Sequence, residues 1–152
     1  MIFTTRYFII GLFSLLGVVS QGCSSPPVMS ESQDDAFAKL MAIQECYLEH
    51  SMQNGRGPAS IEDLQTALSE AGYDTNEILK SSRDGSELTV HWGVMPDFQT
   101  AEAVVIGYEG NSQGGRRVVM TSTGVWLMTD DEFYVSSFPP GHQPPARPAS
   151  SN

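Results

Sequence analysis

The chain has 152 residues, about the size of one domain, and is too short for the large multilayered catalytic folds. It carries 8 basic and 18 acidic residues, a formal net charge of −10 at pH 7 and a pI near 4.5. This acidity disfavours a surface that tracks phosphates, so we expect no nucleic-acid partner. Apolar residues make up 40%, enough for one modest core.

The N-terminus has the layout of an export signal. A single base, Arg6, precedes an almost wholly apolar run from Tyr7 to Val19, which is followed by small and polar residues up to Cys23. The run is about 13 residues long, short of the roughly 20 that a membrane-spanning helix needs. The sequence therefore predicts a cleaved signal peptide over residues 1–22.

The segment Ser20-Gln21-Gly22-Cys23 resembles a bacterial lipobox, in which Gly precedes a lipidated Cys. Ser20 stands where such motifs prefer Leu or Val, so cleavage without lipidation stays open as the alternative. The resemblance implies that Cys23 becomes the acylated first residue of the mature chain. It also implies that Ser24, in place of Asp, favours transport to the outer membrane.

Composition divides the remainder of the chain into three parts. Residues 23–33 are polar and contain two prolines, which predicts a flexible tether. Residues 34–137 are predicted to form a folded head domain. Residues 138–152 contain five prolines, which predicts a disordered tail. Seven basic and 18 acidic residues follow Cys23, a net charge of −11. Such a body is not attracted to anionic headgroups, so the lipid would provide the anchoring.

The head begins with helical periodicity. Asp34 to Gln53 predicts an amphipathic helix, Ile61 to Ala71 a second helix that begins with an approximate Ser60–Asp63 capping box, and Thr75 to Lys80 a short third turn. The apolar stripe of the first helix is expected to consist of Phe37, Leu40, Met41, Gln44, Tyr47, Leu48 and Met52.

The period then changes to that of strands. Glu87–Val94, Ala103–Tyr108, Arg116–Thr121 and Val125–Thr129 follow one another with turn-forming connections, which predicts an antiparallel meander. We expect an α+β fold in which two to three N-terminal helices pack on a four-stranded antiparallel sheet, with the first helix on one face. A last helical turn is predicted from Asp130 to Phe133.

Two segments resemble motifs of small uncharacterised envelope lipoproteins of planctomycete-type bacteria. They are Gly55-Arg56-Gly57-Pro58-Ala59-Ser60-Ile61-Glu62-Asp63-Leu64 and Ser81-Ser82-Arg83-Asp84-Gly85. The resemblance covers roughly residues 35 to 135 and implies an envelope location without any assigned activity. The helix-then-meander order also resembles the globular heads of pseudopilins. Pseudopilins have Glu at the fifth position after their cleavage glycine, whereas the fifth residue after Gly11 is Leu16.

Two motifs invite a catalytic interpretation. Residues 110–114 match G-x-S-x-G, but a nucleophile elbow requires a strand that enters a helix, and here another strand follows the predicted hairpin loop. Cys46 and His50 are spaced i, i+4 on the first helix, opposite the expected stripe, and we expect this pair to face solvent or an interface. Neither motif supplies a complete catalytic or metal site.

The remaining candidates have structural interpretations. His91 is expected on the polar face of its strand; Tyr108, Trp92 and Trp126 are expected in the core or partly exposed on the sheet. Asp74, Asp130 and Asp131 are expected near helix starts, and Asp84-Gly85 in a turn. We therefore name no catalytic, cofactor-binding or metal-binding residue, and Cys23 as the lipidation site.

These inferences together predict a non-enzymatic lipoprotein of the cell envelope. We expect a membrane contact through the lipid on Cys23 and an envelope protein as partner, with no cofactor and no identified small-molecule substrate. The alternatives are a pseudopilin-like component of a secretion apparatus, and a small-ligand binder or hydrolase.

Overall fold

A computed structural model describes residues 31–81, 85–97 and 102–147. The predicted signal peptide, the lipidation site Cys23 and most of the tether lie outside these residues. The predicted α+β class is confirmed: helices precede a four-stranded sheet whose strands lie side by side in chain order, and every neighbouring pair is antiparallel. None of the helices in the described part of the chain has the length and apolar character needed to cross a membrane.

The helical half begins with α1, Glu31–Asn54, which starts three residues before the predicted boundary. A 3-10 helix, Ile61–Leu64, runs directly into α2, Gln65–Glu70, and α3 spans Thr75–Ile78. The connection after α1 begins at Gly55, whose φ of +66° lies in the left-handed region that glycine adopts without strain.

The sheet consists of β1 (Leu88–Val90), β2 (Val105–Glu109), β3 (Arg116–Thr121) and β4 (Val125–Thr129). The predicted bounds of the last two strands agree with the structure, whereas β1 is much shorter than expected. A register shift between Val105 and Gly107 places a bulge in β2. The final helix α4, Asp130–Val135, follows β4 without a connecting loop.

Helix α1 covers the first face of the sheet, as expected. Its buried stripe, however, is rotated relative to the prediction: Cys46 belongs to it, while Met41 and Met52 are 42% and 68% exposed. The rotation arises because α2 and the 3-10 helix also pack on α1 and widen its buried surface. We call this cluster the first core; it contains Leu40, Ile43, Cys46, Tyr47, Leu64, Leu68, Ile78, Leu88, Ile106, Val118 and Met120.

The second face of the sheet is also covered. Val105, Tyr108, Val119 and Phe133 form a separate cluster, the second core, with partly buried Met128, Tyr134 and Phe138 packed against it. Helix α4 and the chain that follows it supply this cover. The head is therefore a three-layer arrangement, with α1 on one face of the sheet and α4 with the C-terminal segment on the other.

Candidate functional site

The edge of the sheet at β4 is the surface most suited to contact a partner. Within the described residues β4 pairs with β3 alone, so the backbone N–H and C=O groups along its outer side have no strand neighbour. Its sequence, Val125-Trp126-Leu127-Met128-Thr129, contains no charge and no proline. Strand β4 therefore lacks the charged residues and the prolines with which edge strands commonly resist pairing with another chain.

The opposite edge differs from β4. Strand β1 has three residues, and the preceding chain folds back on it: Lys80 bridges Glu87, and the Leu88 amide donates to the Leu79 carbonyl at 2.6 Å. A short and partly covered edge offers little backbone for pairing. Of the two edges, β4 therefore offers the longer run of accessible backbone.

Trp126 provides an apolar anchor on β4. It lies opposite Val119 in the β3–β4 register, and 51% of its surface is exposed. The indole lies over Gly124, where a Cβ would come within 3.3 Å of three ring atoms. Glycine at this position therefore lets the ring lie close to the backbone of the β3–β4 turn.

An open groove of about 310 Å³ lies beside this ring. Trp126, Leu127 and Met128 of β4 line it together with Glu132 and Ser136. The Ser136 hydroxyl donates to the Glu132 carbonyl at 2.8 Å, and Val135, one residue before it, is 83% exposed. The edge strand is thus accompanied by exposed apolar side chains, as in domains that bind extended peptides.

A capping box fixes the end of β4 against this groove. The Thr129 hydroxyl accepts from the Glu132 amide at 3.2 Å, and a Glu132 carboxylate oxygen accepts from the Thr129 amide at 2.8 Å. These reciprocal bonds form a capping box at the start of α4. The hydrogen bond from the Thr129 amide is also the main reason that the pKa of Glu132 is lowered. Glu132 therefore remains ionised at the rim of the groove.

The G-x-S-x-G loop has a structural role. Ser112 donates to Asp130 at 2.9 Å, and Asp130 also accepts two bonds from the Arg117 guanidinium. Burial would raise the pKa of Asp130, but the hydrogen bonds from Arg117 and Ser112 outweigh it and lower the pKa. Ser112 is followed by strand β3, so the geometry of a nucleophile elbow is not present here.

The Cys46–His50 pair differs from its prediction. Cys46 is a buried free thiol in the first core, so the expectation that it faces solvent or an interface is wrong. Burial raises its pKa, and the nearby carboxylates Glu49 and Glu45 raise it further. Because the thiolate is the reactive form, this environment disfavours a nucleophilic role.

A groove of about 240 Å³ beside this pair contains several carboxylates. Cys46 and His50 line it together with Glu49, Asp63 and Glu70. Despite this composition, none of the described residues form a group of three or more His, Cys, Asp or Glu side chains arranged to hold a metal ion.

His91 is also placed differently from its prediction. It is 7% exposed rather than on a solvated face. The alternation around His91 correctly indicated a strand with two faces. It did not indicate that the second face is covered, because the residues that cover it are distant in the chain. The physical reason for the error is that Phe138 and His142 fold back over His91.

The aromatic residues fall into three environments. Trp92 packs in the first core with its ring stacked 6.2 Å from that of Tyr47, and Tyr108 belongs to the second core. Trp126 alone of these is exposed on the sheet edge. The predicted meander already makes β4, its last strand, a sheet edge, but the sequence does not show that the described chain leaves the outer side of this edge without a strand neighbour.

Asp74 and Asp130 lie at helix starts, as predicted. Asp74 caps α3 by accepting from the Asn76 amide at 2.8 Å, and Asp130 and Asp131 form the first turn of α4. Gly85 has a φ of +68°, as a turn glycine requires, while Asp84 lies outside the described residues.

Comparison of the chain with protein-family models, with curated proteins and with solved structures finds no match. The function has to be inferred from the geometry of the site.

Proposed function

We propose that this protein is a non-catalytic lipoprotein of the cell envelope, anchored through Cys23, whose head domain binds an extended segment of a partner protein along β4. The observation that carries the proposal is the uncharged edge strand with the half-exposed Trp126 beside an apolar groove. A partner segment would hydrogen-bond to the outer backbone groups of β4 and place alternate side chains near Trp126.

Charge favours a basic partner over a second copy of the chain. The part of the chain after Cys23 has a net charge of −11, so two copies repel each other. Glu132 lines the groove, and the exposed Asp131 carboxylate at the start of α4, which also pairs with Arg147, lies next to it in the chain. An extended segment flanked by lysine or arginine would complement these carboxylates.

Peptide binding to the full chain in detergent micelles tests the edge-strand proposal. The probe is a decapeptide of alternating valine and threonine with two lysines at each end; its control has proline at a central position and cannot donate there. We expect the first peptide to slow amide hydrogen exchange in residues 125–129. The control peptide should not do so.

Variants of the protein complete this test. Because aromatic anchors dominate many interfaces, Trp126→Ala should weaken peptide binding about tenfold or more. Met52→Ala removes a similarly exposed apolar side chain on α1 and should leave binding unchanged. Protection elsewhere than β4, or protection that depends on protein concentration without peptide, would contradict a peptide-binding edge; the latter would place a second copy there.

A separate measurement tests the anchor. Intact-mass analysis of the membrane-extracted protein should give a chain that begins at Cys23 with acyl mass added, and Cys23→Ser should abolish that modification. A mature N-terminus at another residue would refute the lipid assignment while leaving the β4 proposal to its own test.

A further inference from the structure

The C-terminal segment, residues 138–147, crosses the second face of the sheet and packs on His91. The ring centroids of His91 and His142 are 4.3 Å apart. Phe138 contacts the same site, with its ring 6.0 Å from His91, 6.4 Å from Tyr108 and 5.5 Å from Phe133. The segment thus buries one histidine beneath another.

His91 is placed where a neutral imidazole is tolerated and a cation is not. It is 7% exposed, and its Nε2 is buried without a hydrogen-bond partner among the described residues. A buried cation without a carboxylate or other acceptor carries a large desolvation cost. A second cation on His142, in contact with the same ring, would add repulsion.

In the part of the chain that the structure describes, the other titratable groups around this site do not compensate a charge on His91. Tyr108 of β2 contacts the ring, and the Tyr47 hydroxyl lies 3.0 Å from the His91 carbonyl on the opposite face. Arg117 of β3 and Asp130 of α4 are paired with each other at 2.8 Å. At the two ends of the segment, Glu102 accepts from Ser137, and Arg147 pairs with Asp131 at 2.9 Å.

We propose that residues 138–147 form an acid-released latch, docked on the second face of the sheet while His91 is neutral and released when it protonates. Release would expose Tyr108 and Phe133 of the second core. The latch is independent of the proposed peptide binding at β4 and of the lipid anchor.

The direction of the pH dependence follows from linkage. Burial, and then the charge on His142, lower the pKa of His91 from 6.5 to about 4 in the docked state. Release restores solvent access and the ordinary pKa, so the released state binds protons more tightly. The contribution of neutral His91 to docking is therefore fully present above pH 6.5 and is lost as the pH falls towards 4. Over that range the equilibrium constant for docking decreases by about 10²-fold.

Hydrogen exchange of the full chain in detergent micelles tests the latch. After correction for intrinsic exchange rates, we expect residues 138–147 to be protected at pH 7.5 and to exchange at least tenfold faster at pH 5. His91→Phe retains a ring and removes the titration, so its segment should stay protected at pH 5. The control His50→Phe removes a histidine on α1 and should behave as the parent protein.

A second measurement applies if His91→Phe fails to fold by circular dichroism. NMR titration of the parent protein should then give a His91 pKa well below 6.5. The latch is refuted if exchange is equal at the two pH values, if His91→Phe keeps the pH dependence where it folds, or if the His91 pKa is ordinary. Loss of protection on addition of EDTA at pH 7.5 would also refute it, because a metal ion would then hold the two histidines.

Discussion

Arg117 is a fully buried cation on the second face of the sheet, and a carboxylate there balances its charge. It is 2% exposed, pairs with Asp130 at 2.8 Å, and places its guanidinium carbon 4.2 Å from the centre of the Phe133 ring. A guanidinium can stack on an aromatic ring and bond a carboxylate at the same time. The ion pair therefore joins β3 to the start of α4.

Removal of the Asp130 carboxylate should destabilise the fold. Asp130→Ala leaves the Arg117 cation buried without its partner and should lower the free energy of unfolding by about 3–5 kcal/mol. Asp131→Ala, the matched control, removes a carboxylate that is 90% exposed and should change it by about 0.5 kcal/mol or less. Urea denaturation of the two variants measures the difference, and equal values would contradict this account of Arg117.

The same pair predicts an acid limit of stability. The pKa of Asp130 is lowered in the folded state, so the unfolded state binds the proton more tightly. The contribution of the pair is present above the usual pKa of 3.8 and is lost as the pH falls through the lowered folded value. This range lies below the range in which His91 is expected to release the latch.

At the scale of elements, the segment that follows α1 is fixed by contact with the loop after β1. A Cβ at Gly57 would overlap the Val94 carbonyl oxygen, and the Gly93 amide donates to the Pro58 carbonyl at 2.6 Å. The Tyr47 hydroxyl also bonds the Val94 backbone, accepting from its amide at 3.0 Å. The Gly55 to Leu64 motif thus has a packing role in this fold.

Substitution at Gly57 should be costly because the opposing atoms are backbone. Gly57→Ala requires the two segments to separate and should lower the free energy of unfolding by about 2 kcal/mol or more. Gly110→Ala is the matched control, since its Cβ would make an ordinary 3.7 Å contact. Thermal denaturation should give a clearly lower midpoint for the first variant, and similar midpoints would show that the Gly57 contact is not tight.

The elements that sequence predicted best are those whose pattern is local. The bounds of β3 and β4 and the meander order agree with the structure because alternation and turn residues specify them. The predicted Ser60–Asp63 box did not form: Asp63 instead accepts from the Ala59 amide, and the actual box is Thr129–Glu132. The helical turn from Asp130 was predicted, but its cap was not, because the cap residue Thr129 is also the last residue of β4.

The candidate site depended on information that a local pattern lacks. The predicted meander makes β1 and β4 the two sheet edges, but tertiary contacts decide which edge is covered, as where Lys80 bridges Glu87 beside β1. Likewise, Cys46 and His91 were assigned to exposed faces because α2 and the C-terminal segment, which bury them, are remote in sequence. Burial by distant segments is the common cause of these errors.

At the scale of the whole molecule, the C-terminal segment completes the second layer over the sheet. Its composition predicts disorder, yet within residues 138–147 Phe138 and His142 contact His91, and Arg147 pairs with Asp131 and lies 4.8 Å from the centre of the Tyr134 ring. Three separate side chains thus hold a proline-rich chain that has no regular periodicity. Prolines reduce the entropy that such a chain loses on docking.

Truncation tests whether this segment is part of the fold. Removal of residues 138–152 would expose Tyr108 and Phe133 and should lower the thermal midpoint by several degrees, with increased binding of the dye ANS at pH 7.5. Removal of residues 148–152 spares all of the contacts described for the segment and should leave both measurements unchanged. If the longer truncation also had no effect, residues 138–147 would contribute nothing to stability, and the composition-based prediction of a disordered tail would be correct for the protein in solution.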